Sequence, residues 1–296
     1  MATASLPPFS GTEGSYMLPH HAREVERLQR QHYFMNSTTG GQLLMVPVIH
    51  QRKSLRVLDS GAADGTWLRD LPHQLPSHHL ERFGVDIGSG LFPPNVGDAV
   101  DLRSHDIRTP FPPSWNWTST FDVVHQRLLI WGIKSAEWPL VISNLVSALA
   151  PGGYIQLVEA EWIDPENLAH EVTRPQLRKQ AKLQEWSTAS FGMDIHVAYK
   201  LEEWLKEAGL EDVGKLQFDH GYGALAKVED QRNVSAELWV QCFRTLDEKI
   251  PEGGIPGVAA DAEEFHKFLD ALEVEIKTYG YQPKLNYVYG RKPLAA

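Results

Sequence analysis

A chain of 296 residues with a formal net charge of −10 and no Lys/Arg-rich run is long for one domain, short for two, and ill-suited to a nucleic-acid backbone. No apolar run approaches the ~18 residues of a membrane span. A single cysteine, Cys242, excludes an internal disulfide and points to a reducing, cytoplasmic setting. In that setting, without a secretory signal, the sequons at Asn36, Asn116 and Asn233 are chance matches.

In chain order, residues 1–14 are rich in small residues, Pro and Gly and read as a disordered leader. Residues 15–50 read as an N-terminal helical cap. Within it, Val25, Leu28 and His32 are spaced by three and four along a helix from Arg23 to Met35, which Thr38-Thr39-Gly40-Gly41 interrupts. Residues 51–164 read as a sheet core. Leu55, Val57 and Leu58 form a first strand ended by Asp59, and Thr66 opens a helix. Arg82 to Ile87 is a second strand, and His105-Asp106-Ile107 closes a third. Phe121 to His125 is a fourth strand and Ile155 to Glu159 a fifth. Trp138 to Leu149 is a helix stopped by Pro151 and two glycines. Residues 165–296 read as helical lid segments and the last strands. They hold helices over Pro165–Phe191, Leu201–Gly209, Ser235–Ile250 and Asp261–Tyr279, and strands over Val213–Asp219 and Leu285–Gly290. Strands alternating with helices imply a parallel sheet with right-handed crossovers, in one compact domain.

The informative stretch is L-R-V-L-D-S-G-A-A-D-G-T-W, residues 55–67. A strand feeding a glycine-rich turn into a helix lets backbone N–H groups approach a ligand closely. The dinucleotide pattern G-x-G-x-x-G fails, because Ala63 and Thr66 stand where it needs glycines. The pattern D-x-G-x-G-x-G fits better, with Asp59, Gly61 and Gly65 in place and Ala63 substituting once. Asp86 follows Gly65 by 21 residues, close to the spacing of a carboxylate that reaches ribose hydroxyls. The His20-His21 and His78-His79 pairs lack metal-ligand spacing, so no metal is expected.

Taken together, these segments resemble class I S-adenosylmethionine methyltransferases. More narrowly, they are similar to fungal secondary-metabolite enzymes related to the gliotoxin thiomethyltransferase and to methyltransferase-like regulators. The narrower likeness rests on Tyr16-Met17-Leu18-Pro19 with Glu24, Arg27-Leu28 and Gln31-His32, and on F-D-V-V-H-Q-R followed by L-A-P-G-G-Y-I-Q-L-V-E. The resemblance implies an α/β fold: a Rossmann-like, seven-stranded, mostly parallel sheet with helices on both faces. It implies S-adenosylmethionine as cofactor, with Asp59, Gly61 and Ala62 around its methionine end, Asp86 on the ribose, Ile87 against the adenine, and Asp106 with the Ile107 N–H on the adenine edge. His125 and Gln126 would flank the sulfonium. His125 first, then His32, are the candidate catalytic bases, and Tyr16, Tyr33 and Trp131 are candidate substrate contacts.

The expected function is methyl transfer to an S, O or N nucleophile of a small molecule, with no nucleic-acid or membrane partner. The alternative keeps the fold and loses the transfer, as a pericyclase or a regulatory partner that binds the cofactor. A nicotinamide oxidoreductase is disfavoured by the glycine spacing.

Overall fold

The computed structural model describes residues 22–94, 100–163, 174–246 and 249–294. The expected leader and Tyr16 lie outside them. Seven strands form one sheet: β1 (Ser54–Ser60), β2 (His79–Asp86), β3 (Val100–Ser104), β4 (Phe121–Arg127), β5 (Leu149–Glu161), β6 (Glu211–Asp219) and β7 (Lys284–Arg291). Their order is β3-β2-β1-β4-β5-β7-β6. The first five pair in parallel, and β7 runs antiparallel between β5 and β6. The chain order reverses between β1 and β4, which opens a crevice at the strands' carboxyl ends.

Burial decides which helix covers which face. Helix α1 (Ala22–Thr38) precedes the sheet, and α2 (Val48–Gln51) is a single turn. Helix α3 (Thr66–Gln74) joins Leu43, Leu44, Val48, Leu55 and Val57 in one apolar cluster. Helix α4 (Trp138–Ala148) lies in a second, larger cluster with β4, β5 and three later helices, α5 (Pro175–Ser190), α7 (Gln231–Arg244) and α8 (Ala262–Tyr279). Between α5 and α7, the short α6 (Leu201–Glu207) leads into β6. Trp138, fully buried at the start of α4, is among the largest side chains of the core. Pro175 opens α5 at a position where its missing N–H costs nothing. Asp261 caps α8 by accepting from the Glu264 N–H at 2.8 Å.

The third strand corrects the sequence expectation. It ends at Ser104, before His105-Asp106-Ile107. Asp106 turns the chain instead: its Oδ1 accepts from the Arg108 N–H at 3.0 Å, and its carbonyl accepts from the Thr109 N–H at 2.9 Å. This turn leaves Asp106 and Ile107 facing the crevice. Residues 42–46, expected within the helical cap, are neither helix nor strand. Gln74 accepts from the Leu43 and Leu44 N–H groups, both at 2.8 Å, and Gln156 accepts from Met45 N–H at 2.9 Å. Two glutamine side chains thus do for this apolar segment what a neighbouring strand would do.

Candidate functional site

The turn after β1 is built for close approach. Gly61 has φ +73°, and a Cβ there would meet the Leu129 side chain at 3.0 Å. Its N–H and that of Ala62 both donate to the Val85 carbonyl, at 2.9 and 3.0 Å. Ala63 sits at φ +48°, a conformation that disfavours a side chain. It is held there because its N–H donates to Asp86 Oδ2 at 2.9 Å, while Gly88 N–H donates to Oδ1 at 2.8 Å. Asp86 therefore staples the glycine turn to the end of β2. Burial pushes its carboxyl up to about 6; the Gly88 and Ala63 N–H groups pull the other way, and the nearby Asp59 charge adds to the rise. Asp64 closes the turn, accepting from Thr66 Oγ1 at 2.8 Å, Arg69 at 2.9 Å and Gln29 of α1 at 2.6 Å.

Strand β4 delivers the next groups in alternation. His125 and Arg127 reach the cavity while Gln126 points to the other face, where it lies buried with Oε1 3.3 Å from Ser60 Oγ. Gln126 therefore does not stand beside the candidate cofactor groups. His125 stacks on Trp67 at 3.9 Å, and its Nδ1 lies 2.7 Å from Asp59 Oδ1. A carboxylate accepts, so Nδ1 carries the proton and Nε2 keeps its lone pair. Burial lowers the His125 pKa, against the opposing pull of Asp59, so the ring is neutral near pH 7. Nε2 has no hydrogen-bond partner among the described residues.

His32 differs. Arg127 donates to its Nδ1 at 3.1 Å, and Nε2 lies 3.0 Å from Asp70 Oδ2. Arginine only donates and a carboxylate only accepts, so His32 is the neutral Nε2–H tautomer with both nitrogens engaged. The Asn36 Nδ2 also lies 2.9 Å from Nε2. Burial first, then Arg127, drives the His32 pKa down to about 3. In this arrangement His32 offers no lone pair as a base; it ties α1 to α3 and β4.

Helix α1 also departs from its expected face. Glu24 and Arg27 are buried, whereas Val25 is half-buried. The reason is the cavity, which Glu24, Arg27, Leu28, Gln31 and His32 all line. The buried pair satisfies itself, Arg27 Nη2 donating to Glu24 at 2.5 Å and Nε at 2.8 Å. Tyr33, on the opposite face, is 55% exposed and does not line the cavity.

On the far side of β4, Leu128 takes φ +55° and turns the chain sharply. The Leu129 N–H then donates to Glu159 Oε1 at 2.6 Å, with the Ile130 N–H also acting on that carboxyl. Burial pushes Glu159 up to about 8 despite these donors, so it holds a proton at neutral pH. Its Oε2 has no partner among the described residues. Around it runs an indole series: Trp131 to Trp162 at 6.0 Å between ring centroids and Trp162 to Trp239 at 4.7 Å. Trp239 Nε1 donates to Gln180 at 2.8 Å, but Trp162 Nε1 has no partner among the described residues. Leaving such a group buried and unsatisfied costs roughly 1–3 kcal/mol.

Asp59, Gly61, Ala62, Asp86, Ile87, Asp106, Ile107, His125, His32 and Trp131 all line this one cavity, so the fold gathers ten of the anticipated residues. Asp106 is held by Arg108, whose Nε and Nη2 each donate at 2.8 Å. Burial raises its pKa, but Arg108 outweighs that and holds the carboxyl below its usual range.

A protein-family profile described as a methyltransferase domain matches residues 29–215, which carry β1 to β5 and the whole glycine turn. This chain belongs to that family. With the strand order above, it is a class I S-adenosylmethionine-dependent methyltransferase. The methyltransferase is 30% identical to N-methyltransferase sirN of Leptosphaeria maculans, over 95% of this chain and 96% of that one. It is 28% identical to N-methyltransferase gliN of Aspergillus fumigatus, over 95% and 98%. A shorter likeness, 27% over 50% of this chain, is to the secondary metabolism regulator laeA of Gibberella zeae.

Sequence reasoning missed Glu159, Trp162, Trp239, Arg127 and Asp64 as cavity residues. Glu159 was readable as the acid ending the fifth strand, a position like that of Asp86 on the second. For Trp239, on a helix 108 residues beyond Trp131, no local signal existed. Among the described residues, no helix is long and apolar enough to cross a membrane, and no group of three His, Cys, Asp or Glu side chains could hold a metal.

Proposed function

We propose that this methyltransferase methylates a nitrogen of a small molecule of fungal secondary metabolism. The observation that carries the reading is the Asp59–His125 pair, whose Nε2 has no partner among the described residues, on a cavity that the glycine turn also lines. The choice of nitrogen follows the relatives, whose names describe N-methyltransferases.

The residues suit the cofactor. Asp86 is desolvated yet keeps spare lone pairs for two hydroxyl donors, and Gly61, at φ +73° on the cavity wall, presents backbone without a side chain. Ile87 and Ile107 supply apolar walls for a flat base, Asp106 an acceptor at its edge, and Asp59, Gly61 and Ala62 surround the amino-acid end. S-adenosylmethionine supplies an electrophilic methyl group on a sulfonium. His125 Nε2 takes the proton that the nucleophile sheds, and Asp59 holds the ring in the tautomer that can do so. Helix α1, pinned by Gln29 on Asp64 and by His32 on Asp70 and Arg127, roofs the cavity and excludes water. Alignment of nucleophile and methyl group in such a chamber can supply ~7–11 kcal/mol of the barrier.

Incubation with methyl-labelled S-adenosylmethionine and fractionated small amides and amines tests this. Label in an N–CH₃ product together with S-adenosylhomocysteine is expected. Cofactor binding with a rearranged, unlabelled product would instead favour the pericyclase alternative, and binding with no product the regulatory one.

A further inference from the structure

Among the described residues three arginines line the cavity, and two of them are spent. Arg27 is paired with Glu24 at 2.5 Å and Arg108 with Asp106 at 2.8 Å. Arg127 differs. Its side-chain hydrogen bond among the described residues runs from Nη2 to His32 Nδ1 at 3.1 Å, and the other donors of its fork are left over. His32 is neutral and brings no balancing charge. No carboxylate of the described residues stands within ion-pair distance of Arg127; burial lowers its pKa, and Tyr287 and Asp59 pull the other way only from farther off. A desolvated cation without a counter-ion is costly, and an anion bound beside it removes that cost.

Place decides which anion. Strands β1 and β4 pair in register as far as Ser60 and Gln126. The next residues on the two strands are Gly61 and Arg127, so the guanidinium leaves β4 level with the glycine turn. Alternation puts it on the face of His125, whose Nδ1 donates to Asp59 Oδ1. Asp59 and Arg127 thus present opposite charges to one cavity without closing on each other. A ligand that fits between them carries an ammonium and a carboxylate close together, as on the α-carbon of an amino acid. The planar fork of an arginine can donate to both oxygens of that carboxylate.

We propose that Arg127 is the receptor for the carboxylate at the amino-acid end of S-adenosylmethionine, with the ammonium group turned toward Asp59. This assignment rests on the cofactor placement given under the proposed function and supplies the cationic half of it. The bond to His32 then ties that receptor to helix α1, so the cavity's roof and the cofactor share one guanidinium.

Decarboxylated S-adenosylmethionine keeps the ammonium and the sulfonium and lacks the carboxylate, which makes it the discriminating probe. Calorimetry on the full chain compares it with S-adenosylmethionine. The wild type is expected to prefer S-adenosylmethionine by about ten-fold or more, the worth of one charge-assisted hydrogen bond. Arg127→Met should weaken S-adenosylmethionine by about that factor and leave the decarboxylated form as tight or tighter, because a cation facing a cation is removed. Arg127→Lys should keep part of the preference. Circular dichroism checks folding, and if Arg127→Met does not fold, Arg127→Gln decides on the same criterion. A preference that survives loss of the guanidinium overturns the assignment and leaves the arginine to an anionic group of the acceptor. Equal weakening of both forms overturns it too, since the side chain is then only structural. No binding of either form by the wild type would sink the cofactor reading itself, whereas equally tight binding of both sinks only this inference.

Discussion

The walls on the two sides of β4 solve different problems. On the β1–β3 side every acidic group is already held: Asp86 by two backbone N–H groups, Asp64 by Thr66, Arg69 and Gln29, Asp106 by Arg108. On the β5 side, Glu159 and Trp162 keep one polar atom each without a partner among the described residues, on a wall that Trp131 and Trp239 also line. The first wall is organised before any ligand arrives, as suits a cofactor that never changes. The second leaves its polar atoms to be satisfied by whatever binds, which is how a site discriminates between ligands. His125, on the strand between them, belongs to both: its Nδ1 is held by Asp59 and its buried Nε2 has no partner among the described residues.

That division can be broken or sharpened by substitution. The largest effect is expected at the shared residue. His125→Ala should cut turnover about 100-fold or more if Nε2 accepts a proton, with binding of S-adenosylmethionine measured separately by calorimetry. An undiminished rate would remove the base from the mechanism. Next comes the pre-built wall. Asp86→Ala should weaken cofactor affinity at least ~10-fold, since each charge-assisted hydrogen bond is worth roughly 1.5–3 kcal/mol. The wild type adds a pH signature. Hydroxyl donors favour the ionised carboxyl, and in the free protein this group titrates at about 6. Affinity should therefore be flat above that pH and fall below it; calorimetry at pH 5 and 7.5 checks this, and a pH-independent affinity would detach Asp86 from the ribose.

The open wall makes the opposite prediction, in stability. Glu159 ionises near 4.5 when unfolded but at about 8 when folded. The folded chain thus retains a proton that the unfolded chain loses. Its stabilising effect is complete below 4.5 and is lost as pH rises through about 8, by at most ~1.4 kcal/mol per pH unit. Between pH 6 and 8.5 the melting temperature of the wild type should fall more than that of Glu159→Gln; equal slopes would mean the carboxyl is ionised throughout. The smallest effect concerns backbone strain in the cofactor wall. Ala63→Gly relieves φ +48° and should stabilise by ~1 kcal/mol in chemical denaturation. A loss of stability would show that the alanine methyl is needed more than the strain costs.

The sequence by itself determined the sheet and the glycine turn that lines the cavity. Asp59, Gly61, Gly65 and Asp86 were legible because strand, turn and acid follow one another within 30 residues, where local propensity and spacing suffice. The seven strands were legible for the same reason, although the edge of β3 was not, since Asp106 turns the chain through its own side chain. Tertiary structure alone decided the rest. It turned Gln126 away by strand alternation and closed both nitrogens of His32 with Arg127, 95 residues distant, and Asp70. It buried the polar face of α1 because a cavity, not a core, lies beneath it. It also set Trp162 of β5's end against Trp239 of α7. Charge states belong to the same class: whether Glu159 holds its proton depends on how far burial strips it of water, against the pull of the Leu129 and Ile130 N–H groups some 30 residues away.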